Sequence, residues 1–402
     1  MQHKLRLNSR WINLPLFDHK DWPQVLFGDV VQNVNETERD PKKGGIDRFI
    51  GLEHLEPGFL HIRTWGSVVD GITFTRRCRP GQVLFGKRRA YQRKVGVADF
   101  DAVVSSDIYV FAPKNDKLLP ELLPFLCMSE RFCQHAVETS AGSLSPRTNW
   151  RKLMLFEFKL PPLDQQRRIA EILWAVDECL FTNDNLVNAL HEYRQSLLDS
   201  IAHEYASIHA LVSLESAIDP GRPICYGILK PGLGIPNGIP VIKVRDFPDG
   251  HIHAVDLLRT TPEIEAPFKR SRLRTDDLLI SIRGTVGRLA EVPASLDGAN
   301  ITQDTARLSI AQEHNRKYIR ALLESRFVQN QITSRVTGLA VKGINIGELR
   351  KIQIPLPPRP KQDAIAEQLG EISKAQTAAS NMSKQQRGLM ASMREILLGD
   401  NQ

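Results

Sequence analysis

The segment LPPLDQQRRIAEIL, from Leu160 to Leu173, occurs again as LPPRPKQDAIAEQL, from Leu356 to Leu369. Eight of the fourteen positions are identical, and the second copy follows the first by 196 residues in a chain of 402. Because internal repeats mark repeated folds, an offset of nearly half the chain predicts two copies of one structural unit.

The same offset continues upstream of both segments. RPGQVLFGKR (79–88) aligns with RTDDLLISIR (274–283) at 195 residues, and AVVSSD (102–107) aligns with ANITQD (299–304) at 197. SERF (129–132) and ESRF (324–327) follow in the same order at 195 residues. A single proline segment could match by chance, whereas this ordered series indicates a tandem duplication.

Within each copy, the sequence predicts a strand-rich globular part followed by a helix. Apolar, β-branched runs bounded by Gly, Pro, Asp or Asn predict strands in 81–87, 101–113, 276–282 and 305–311. Amphipathic spacing predicts helical segments near 118–138 and 313–336. The expected fold class is α+β, with helices and strands mixed in each duplicated domain.

The segments that follow the two proline pairs carry a heptad pattern. In the first, apolar residues recur at Ile169, Leu173, Val176 and Leu180, and the same frame shifted by 196 gives Ile365, Leu369 and Ile372. Such spacing predicts two long helices whose apolar stripes pair as a coiled coil. Separate packing of each helix on its own domain is the alternative.

The composition is that of a folded protein with a basic surplus. Hydrophobic residues make up 42% and charged residues 25%, which excludes a disordered or fibrous chain. The net charge of +7 favours a polyanionic partner without requiring one. Since no apolar run is long enough to span a membrane and no signal-peptide core is present, we expect a cytoplasmic protein with no membrane partner.

Positive charge gathers in one segment of each copy. The stretch 76–94 contains eight basic residues and no acidic one, and the aligned stretch 269–288 is also rich in Lys and Arg. Such blocks can neutralise phosphates, and arginine can bind guanine edges. A solvated charged face is the alternative. The candidate DNA contacts are Arg76, Arg77, Lys87, Arg88, Arg89, Tyr91 and Arg93 in the first copy, and Arg272, Arg274, Arg283 and Arg288 in the second.

A second recurring feature is a small, polar, glycine-containing segment before each proline pair. SAGSLSPRTNW (140–150) carries Arg147, and VTGLAVKGINI (336–346) carries Lys342. Glycine lets a loop approach another backbone closely. Arg147 and Lys342 are therefore added to the candidate DNA contacts, with an ordinary surface turn as the alternative.

Catalytic and metal-binding signatures are missing from the sequence. It contains no G-x-x-x-x-G-K-[ST], H-E-x-x-H or G-x-S-x-G motif, and no D-P-P-Y or N-P-P-Y tetrapeptide of the amino-methyltransferases. The five cysteines form no C-x-x-C pair, and the eleven histidines have no convincing metal spacing. We therefore expect a chain that is not an enzyme, binds no metal and keeps its thiols reduced.

Two globular units that each end in L-P-P-x-x-x-Q-x-x-I-A-E-x-L and a long helix resemble the specificity subunit of type I restriction-modification systems. The first copy matches the family pattern closely, and the second departs from it at Arg359-Pro360 and Asp363-Ala364. By position, the resemblance implies target-recognition domains over 21–163 and 207–358 and spacer helices over 164–206 and 359–402. Residues 1–20 form an N-terminal tail without a counterpart.

The resemblance implies a non-catalytic DNA reader. Each recognition domain would bind one half of a bipartite double-stranded DNA site, while the antiparallel helices fix the spacing. The helices would also dock two methyltransferase subunits, with restriction subunits added in the full complex. S-adenosylmethionine, ATP and Mg would then be bound only by those partners. A non-catalytic remnant of a fused restriction-methylation enzyme and a scaffold that binds no nucleic acid are the alternatives.

Overall fold

A computed structural model of the chain describes residues 19–208, 211–338 and 342–398. Most of the expected N-terminal tail, 1–18, therefore lies outside the described residues. The chain divides into two compact units: unit 1 comprises Met1–Leu186 and Ala379–Gln402, and unit 2 comprises Val187–Ala378. Both unit boundaries fall inside long helices, so each unit combines one strand-rich part with segments of two helices.

From residue 19 onward, where the structure describes the chain, unit 1 has ten short strands and four short helices before its long helix. The strands are β1 (Gln24–Leu26), β2 (Val31–Asn33), β3 (Arg48–Ile50), β4 (Gly66–Ser67), β5 (Arg76–Cys78), β6 (Val83–Gly86), β7 (Val95–Val97), β8 (Ala102–Val104), β9 (Ile108–Pro113) and β10 (Glu157–Lys159). The helices are α1 (Phe27–Val30), α2 (Leu123–Cys127), α3 (Glu130–Glu138) and α4 (Trp150–Leu153). The long helix that follows is α5 (Leu163–Ile208).

Unit 2 has the same plan. Its strands are β11 (Val212–Ser213), β12 (Cys225–Tyr226), β13 (Ile239–Ile242), β14 (Leu258–Thr260), β15 (Leu278–Ser281), β16 (Leu289–Glu291), β17 (Asn300–Ile301), β18 (Thr305–Leu308) and β19 (Gln353–Ile354). Its helices are α6 (Pro262–Glu265), α7 (Arg316–Leu323), α8 (Arg326–Ser334) and α9 (Ile346–Arg350), followed by the long α10 (Arg359–Leu398).

Sheet topology repeats from unit to unit. The four-stranded antiparallel sheet has the order β2-β9-β6-β7 in unit 1 and β12-β18-β15-β16 in unit 2. A second sheet has the order β4-β3-β8-β5 in unit 1 and β14-β13-β17 in unit 2. In each of these sheets one pair of strands is parallel, β3 with β8 in unit 1 and β13 with β17 in unit 2. The predicted duplication of a mixed α+β domain is confirmed.

The glutamine of the repeated proline motif lies in the first turn of each long helix. Gln166 donates to the carbonyl of Pro161 at 2.8 Å and accepts from the backbone N–H of Leu119, also at 2.8 Å. Gln362 makes the same two bonds, to Pro357 at 2.8 Å and from Asn315 at 2.7 Å. Each side chain is 1% exposed. The motif therefore fastens the helix start to its own globular part by satisfying buried backbone groups.

The long helices also pack on each other within each unit. In unit 1, Leu173 and Leu180 share a hydrophobic core with Met390 and Leu397, late in α10. Asn183, further along α5, contacts Ala379, earlier in α10, so the two segments run antiparallel. In unit 2, the core residues contributed by the two helices are Leu198, Ile201, Ile365, Ala366, Leu369 and Ile372. Because these cores also contain residues of the globular parts, each helix packs both on its partner helix and on a domain.

Candidate nucleic-acid interface

In unit 1, the structure joins the basic hairpin to the glycine-containing loop. The connection between β6 and β7 carries Lys87 to Lys94, and Arg88 forms a β-bridge with Arg147 of the loop. The N–H of Arg89 donates to the carbonyl of Pro146 at 2.7 Å, and the N–H of Thr148 donates to the carbonyl of Lys87 at 2.9 Å. Two features that the sequence predicts separately thus lie side by side.

Asp107 organises the cations at this junction. Its carboxylate accepts from Arg147 at 2.9 Å and lies 3.3 Å from Arg88, and its carbonyl accepts the N–H of Lys87 at 2.9 Å. The carboxyl side chain is 15% exposed, whereas both guanidinium groups reach the surface. Because a guanidinium has five N–H donors, each arginine keeps donors for a ligand while one carboxylate holds its position.

Lys87 and the side chain of Arg76 are both partly buried near the start of β9, where the N–H of Lys87 donates to the carbonyl of Asp107 and Arg76 donates to that of Ile108. The Lys87 ammonium lies 4.9 Å from the centroid of the Tyr109 ring, and Arg76 donates to Asn35 at 2.7 Å. Burial lowers the pKa of Lys87, and the charge of Arg76 lowers it further. Burial also lowers the pKa of Arg76. These cations are held by specific contacts and do not form a freely solvated face.

The remaining candidates of unit 1 have other surroundings. Arg77 pairs with Asp101 at 2.8 Å, and Arg93 pairs with Glu130 at the start of α3. Arg89 and Tyr91 are exposed on the hairpin itself. Arg77 and Arg93 each donate two hydrogen bonds to one carboxylate, whereas Arg88 and Arg147 each donate one to Asp107. Arg88, Arg147 and the exposed Arg89 therefore present the most available donors at this face.

Unit 2 builds the same junction with different side chains. Arg283 forms a β-bridge with Gly343. The N–H of Gly284 donates to the carbonyl of Lys342 at 3.0 Å, and the N–H of Ile344 donates to the carbonyl of Ile282 at 2.9 Å. The N–H of Ile282 donates to the carbonyl of Asp304 at 2.8 Å, as Lys87 does to Asp107. Each contact reproduces one of unit 1 at an offset of 195 to 197 residues.

The contact pattern also corrects the alignment of the two loops. Lys342 occupies the position of Pro146, and Gly343 occupies that of Arg147, so the two loop cations are not equivalent. Gly142 and Gly338, 196 residues apart, have φ angles of 109° and 108°. Since side chains other than hydrogen are strained in this region, glycine is required at the same turn of both loops.

The basic stretch of unit 2 is divided between two ends of strand β15. Arg283 and Arg288 lie at its hairpin end, where Arg288 is half-buried and donates to the carbonyl of Val244 at 3.2 Å. Arg272 and Arg274 precede the strand, and Arg272 pairs with Glu265 at 2.6 Å. At roughly 3.3 Å per residue, Asp277 and Arg283 are about 20 Å apart along the strand. The structure therefore does not bring these four arginines together.

Sequence analysis overlooked three residues at the junctions. Asp107 and Asp304 stand at equal positions in the aligned segments AVVSSD and ANITQD, and this recurrence was the signal for them. Leu144 is 91% exposed in the loop of unit 1, and its sequence carries no such signal. An apolar side chain beside cationic donors can contact a thymine methyl group.

Comparison with known proteins identifies the family. The model of the type I restriction modification DNA specificity domain matches residues 64–192 and 236–386, which together exceed half of the chain. The chain belongs to this specificity family. The two matched segments fall one in each repeat, as the duplication requires.

Relatives within the specificity family extend over most of the chain. The specificity subunit of the type I restriction enzyme EcoBI from Escherichia coli is 26% identical, over 90% of this chain and 81% of its own length. The MjaVIII specificity subunit of Methanocaldococcus jannaschii is 20% identical, over 88% of this chain and 86% of its own.

Two solved chains share the fold of this specificity-family member. The type I restriction-modification S subunit from M. genitalium has a TM-score of 0.56 at 11% identity and covers 99% of both chains. A chain from a study of complex assembly and conformational transition of the type I R-M system has a TM-score of 0.56 at 20% identity, covering 94% of this chain and 98% of its own.

Two searches of the described residues gave negative results. None of the helices in 19–208, 211–338 and 342–398 has the length and apolarity that a membrane crossing demands. Within the same ranges, no three His, Cys, Asp or Glu side chains are grouped to hold a metal ion. All five cysteines are free thiols, and Cys179 alone among them is exposed.

Proposed function

We propose that this chain is the DNA-sequence specificity subunit of a type I restriction-modification complex, and that each unit binds one half of a bipartite site. The observation that carries the proposal is the junction of cationic hairpin and glycine loop, built by the same backbone bonds in both units. A duplicated surface on one chain suits a DNA site with two halves.

The two junctions share a backbone arrangement but carry different side chains, so the two halves of the DNA site should differ in sequence. Unit 1 presents Arg88, Arg89 and Arg147, whereas unit 2 presents Arg283 and Lys342 at the corresponding junction. Arginine forks bind guanine in the major groove, and lysine binds phosphates as a point charge. The remaining cations position the duplex through its backbone, which carries no sequence information.

The helices supply the spacing and the docking surface for partners. Leu186 and Met382, on α5 and α10 of unit 1, are exposed although both are large and apolar. Tyr193, on the part of α5 in unit 2, is exposed as well. An exposed apolar side chain on a helix can contact a partner protein. We assign these positions to the docking of two methyltransferase subunits, which restriction subunits join in the full complex.

In this proposal the chain is not an enzyme. S-adenosylmethionine, ATP and Mg are bound by the partner subunits, and the complex acts in the cytoplasm. The family match in both repeats supports a specificity subunit over a remnant of a fused restriction-methylation enzyme. The paired DNA-binding junctions support a DNA reader over a scaffold that binds no nucleic acid.

Exchange of one recognition domain tests the proposal. A hybrid in which residues 21–163 are replaced by the same domain of another family member is co-expressed with the methyltransferase subunit, and N6-methyladenine is mapped by long-read sequencing. One half of the methylated motif should change while the other half and the spacing remain. A hybrid with residues 207–358 exchanged is the matched control and should change the opposite half. Loss of both halves in either hybrid, with the complex still assembled, contradicts the proposal.

A further inference from the structure

A recessed cavity of about 450 Å³ lies in unit 2 at the start of β15, away from the hairpin end with Arg283. Seven arginine or lysine residues line it, against one carboxylate, Asp297. Ile224, Leu273 and Arg307, all buried, form part of its wall. Like charges repel each other in a confined space, so such a lining is unfavourable unless carboxylates or a bound anion offset the positive charge.

Three of these cations are neutralised by carboxylates outside the cavity. Arg222 forms two bonds of 2.8 Å with Asp277, and Arg272 is held by the buried carboxylate of Glu265. Arg350 lies 3.6 Å from Glu215. The charges of these three side chains are therefore offset by carboxylates of the chain itself.

Four cations of the lining form no ion pair with a described carboxylate. In the part of the chain that the structure describes, the side chains of Lys269, Arg270 and Arg274 make no hydrogen bond or salt bridge, and all three are exposed at the mouth of the cavity. Arg307, the fourth, is 2% exposed. With Asp297 as the single carboxylate of the lining, the cavity keeps a positive excess.

Arg307 is the most informative of the four. Its guanidinium donates to the carbonyls of Arg270 and Pro223, each at 2.9 Å. Its Nε is buried and has no acceptor among the described residues. Burial lowers the pKa of Arg307. The carboxylate of Asp277, which is bonded to Arg222, opposes this shift without forming an ion pair with Arg307. A buried arginine without a direct ion pair costs folding free energy, because dehydration of the charge is repaid only in part.

The duplicated unit provides a direct comparison at this position. Arg307 on β18 is the cross-strand partner of Leu279, and in unit 1 the residue opposite the equivalent Leu84 is Val110. Val110 is fully buried in an apolar core. The fold therefore accommodates valine at this place, and the arginine of unit 2 is not needed to build the sheet.

We propose that this cavity binds a small phosphate-bearing anion, such as pyrophosphate or the phosphate groups of a free nucleotide. A phosphate group accepts several charge-assisted hydrogen bonds and matches the fork of donors on an arginine. The volume is within the range of small-ligand sites. A duplex backbone carries the same phosphate chemistry, and competition by duplex DNA distinguishes the two sources. This site does not depend on the proposed DNA specificity.

Calorimetric titration of the full-length chain with pyrophosphate, in buffer without divalent cations, tests the proposal. We expect saturable binding to the wild-type chain and a loss of about tenfold or more in affinity for the double variant Arg270→Gln and Arg274→Gln, since each removed donor is charged. The matched control is Arg245→Gln, which removes an exposed arginine of unit 2 that does not line the cavity. Its affinity should equal that of the wild type.

Arg307→Val, which installs the residue of unit 1, separates binding from folding. It should abolish pyrophosphate binding while the thermal midpoint is unchanged or higher, because an uncompensated buried charge is removed. Saturating duplex DNA should not displace pyrophosphate from the wild-type chain. The proposal is overturned by the absence of saturable binding, by an equal loss in Arg245→Gln, by unaltered binding in Arg307→Val, or by displacement by duplex DNA. Methylation mapping reports the DNA specificity separately.

Discussion

The side-chain amide of Asn183 donates a hydrogen bond to the backbone carbonyl of Ala379 at 2.9 Å. Ala379 is the repeat counterpart of Asn183, 196 residues later, so equivalent positions of the two helices meet in unit 1. The same amide donates to Ser383 at 2.8 Å, and Ser383 donates to Asp184 at 2.8 Å. Asp184 also pairs with Arg387 at 2.7 Å. This polar layer interrupts an apolar seam and specifies which residues face each other.

Replacement of Asn183 by alanine should lower the free energy of unfolding by about 1–3 kcal/mol, because the buried polar layer loses the amide that donates to Ala379 and Ser383. Urea denaturation followed by circular dichroism measures this change. Asn185→Ala is the matched control, since Asn185 is exposed on the same helix. It should leave stability unchanged or raise it by about 0.5 kcal/mol through helix propensity. Equal changes in the free energy of unfolding for the two substitutions would show that the polar layer does not stabilise the pairing of α5 with α10.

Replacement of Asp107 by alanine should weaken DNA binding by about tenfold, although it removes a negative charge from a basic surface. The reason is that Arg88 and Arg147 lose the carboxylate that positions them. Fluorescence anisotropy with a duplex carrying the methylated motif measures the affinity of the complex with the methyltransferase subunit. Asp116→Ala, an equal change of charge at an exposed site, should bind as the wild type does or slightly more tightly. Tighter binding of Asp107→Ala would mean that net charge alone governs affinity.

His61 links stability to pH in unit 1. Its Nε2 lies 3.0 Å from Asp177 on α5, and its ring stacks on Phe181 at 4.2 Å between centroids. The Asp177 carboxylate raises the pKa of His61 above its ordinary value of 6.5. The charged pair therefore stabilises the folded chain fully below pH 6.5, and the contribution is lost as pH rises through the folded-state pKa.

His61→Gln should therefore be less stable than the wild type at acidic pH, and the difference should shrink toward alkaline pH. Urea denaturation at a series of pH values between about 5.5 and 8.5, spanning the ordinary histidine pKa, measures the difference. His191→Gln, at an exposed helix position, should show no such trend. A difference that grows with pH would contradict the assigned direction of the pKa shift.

Replacement of Leu186 and Met382 by glutamate should reduce co-purification with the methyltransferase subunit while the chain remains folded, since both side chains are exposed on the helices. A loss of about tenfold or more in affinity is expected for charges placed in an apolar contact. Leu233→Glu, at an exposed leucine of a loop in unit 2, is the matched control. Leu173 and Leu180 are buried in the core, so charges there would report on folding instead. Undiminished co-purification of the double variant would place the docking surface elsewhere.

Local patterns predicted the elements of each unit well. The run 81–87 contains β6, 276–282 contains β15 and 305–311 contains β18, because these fully buried strands are short apolar runs bounded by turn residues. The helices expected over 164–206 and 359–402 extend over Leu163–Ile208 and, within the described residues, Arg359–Leu398. The helical segments expected near 118–138 and 313–336 each contain two helices, because Ser129 and Ser325 begin new helices as N-caps.

The candidate site was predictable only in part. Lys87, Arg88, Arg89 and Arg147 meet at one junction, whereas Arg272 and Arg274 lie at the opposite end of β15 from Arg283. Proximity along the chain cannot distinguish these cases, since residues before and after a single strand lie at opposite ends of that strand. Asp107 was missed because its recurrence as Asp304 marks the position, whereas its contacts with Arg88 and Arg147 are created only by the fold.

By itself the sequence determined that one mixed α+β unit occurs twice, that a glutamine and a heptad seam follow each proline pair, and that the positive charge is concentrated. These properties are periodic or local, so the order of the residues is enough to predict them. The tertiary structure alone decided that hairpin and loop meet around Asp107, that Asn183 faces its own repeat counterpart, and that Arg307 enters a core where unit 1 has Val110. Such contacts depend on strand register and helix pairing, which bring together residues that are distant in the chain.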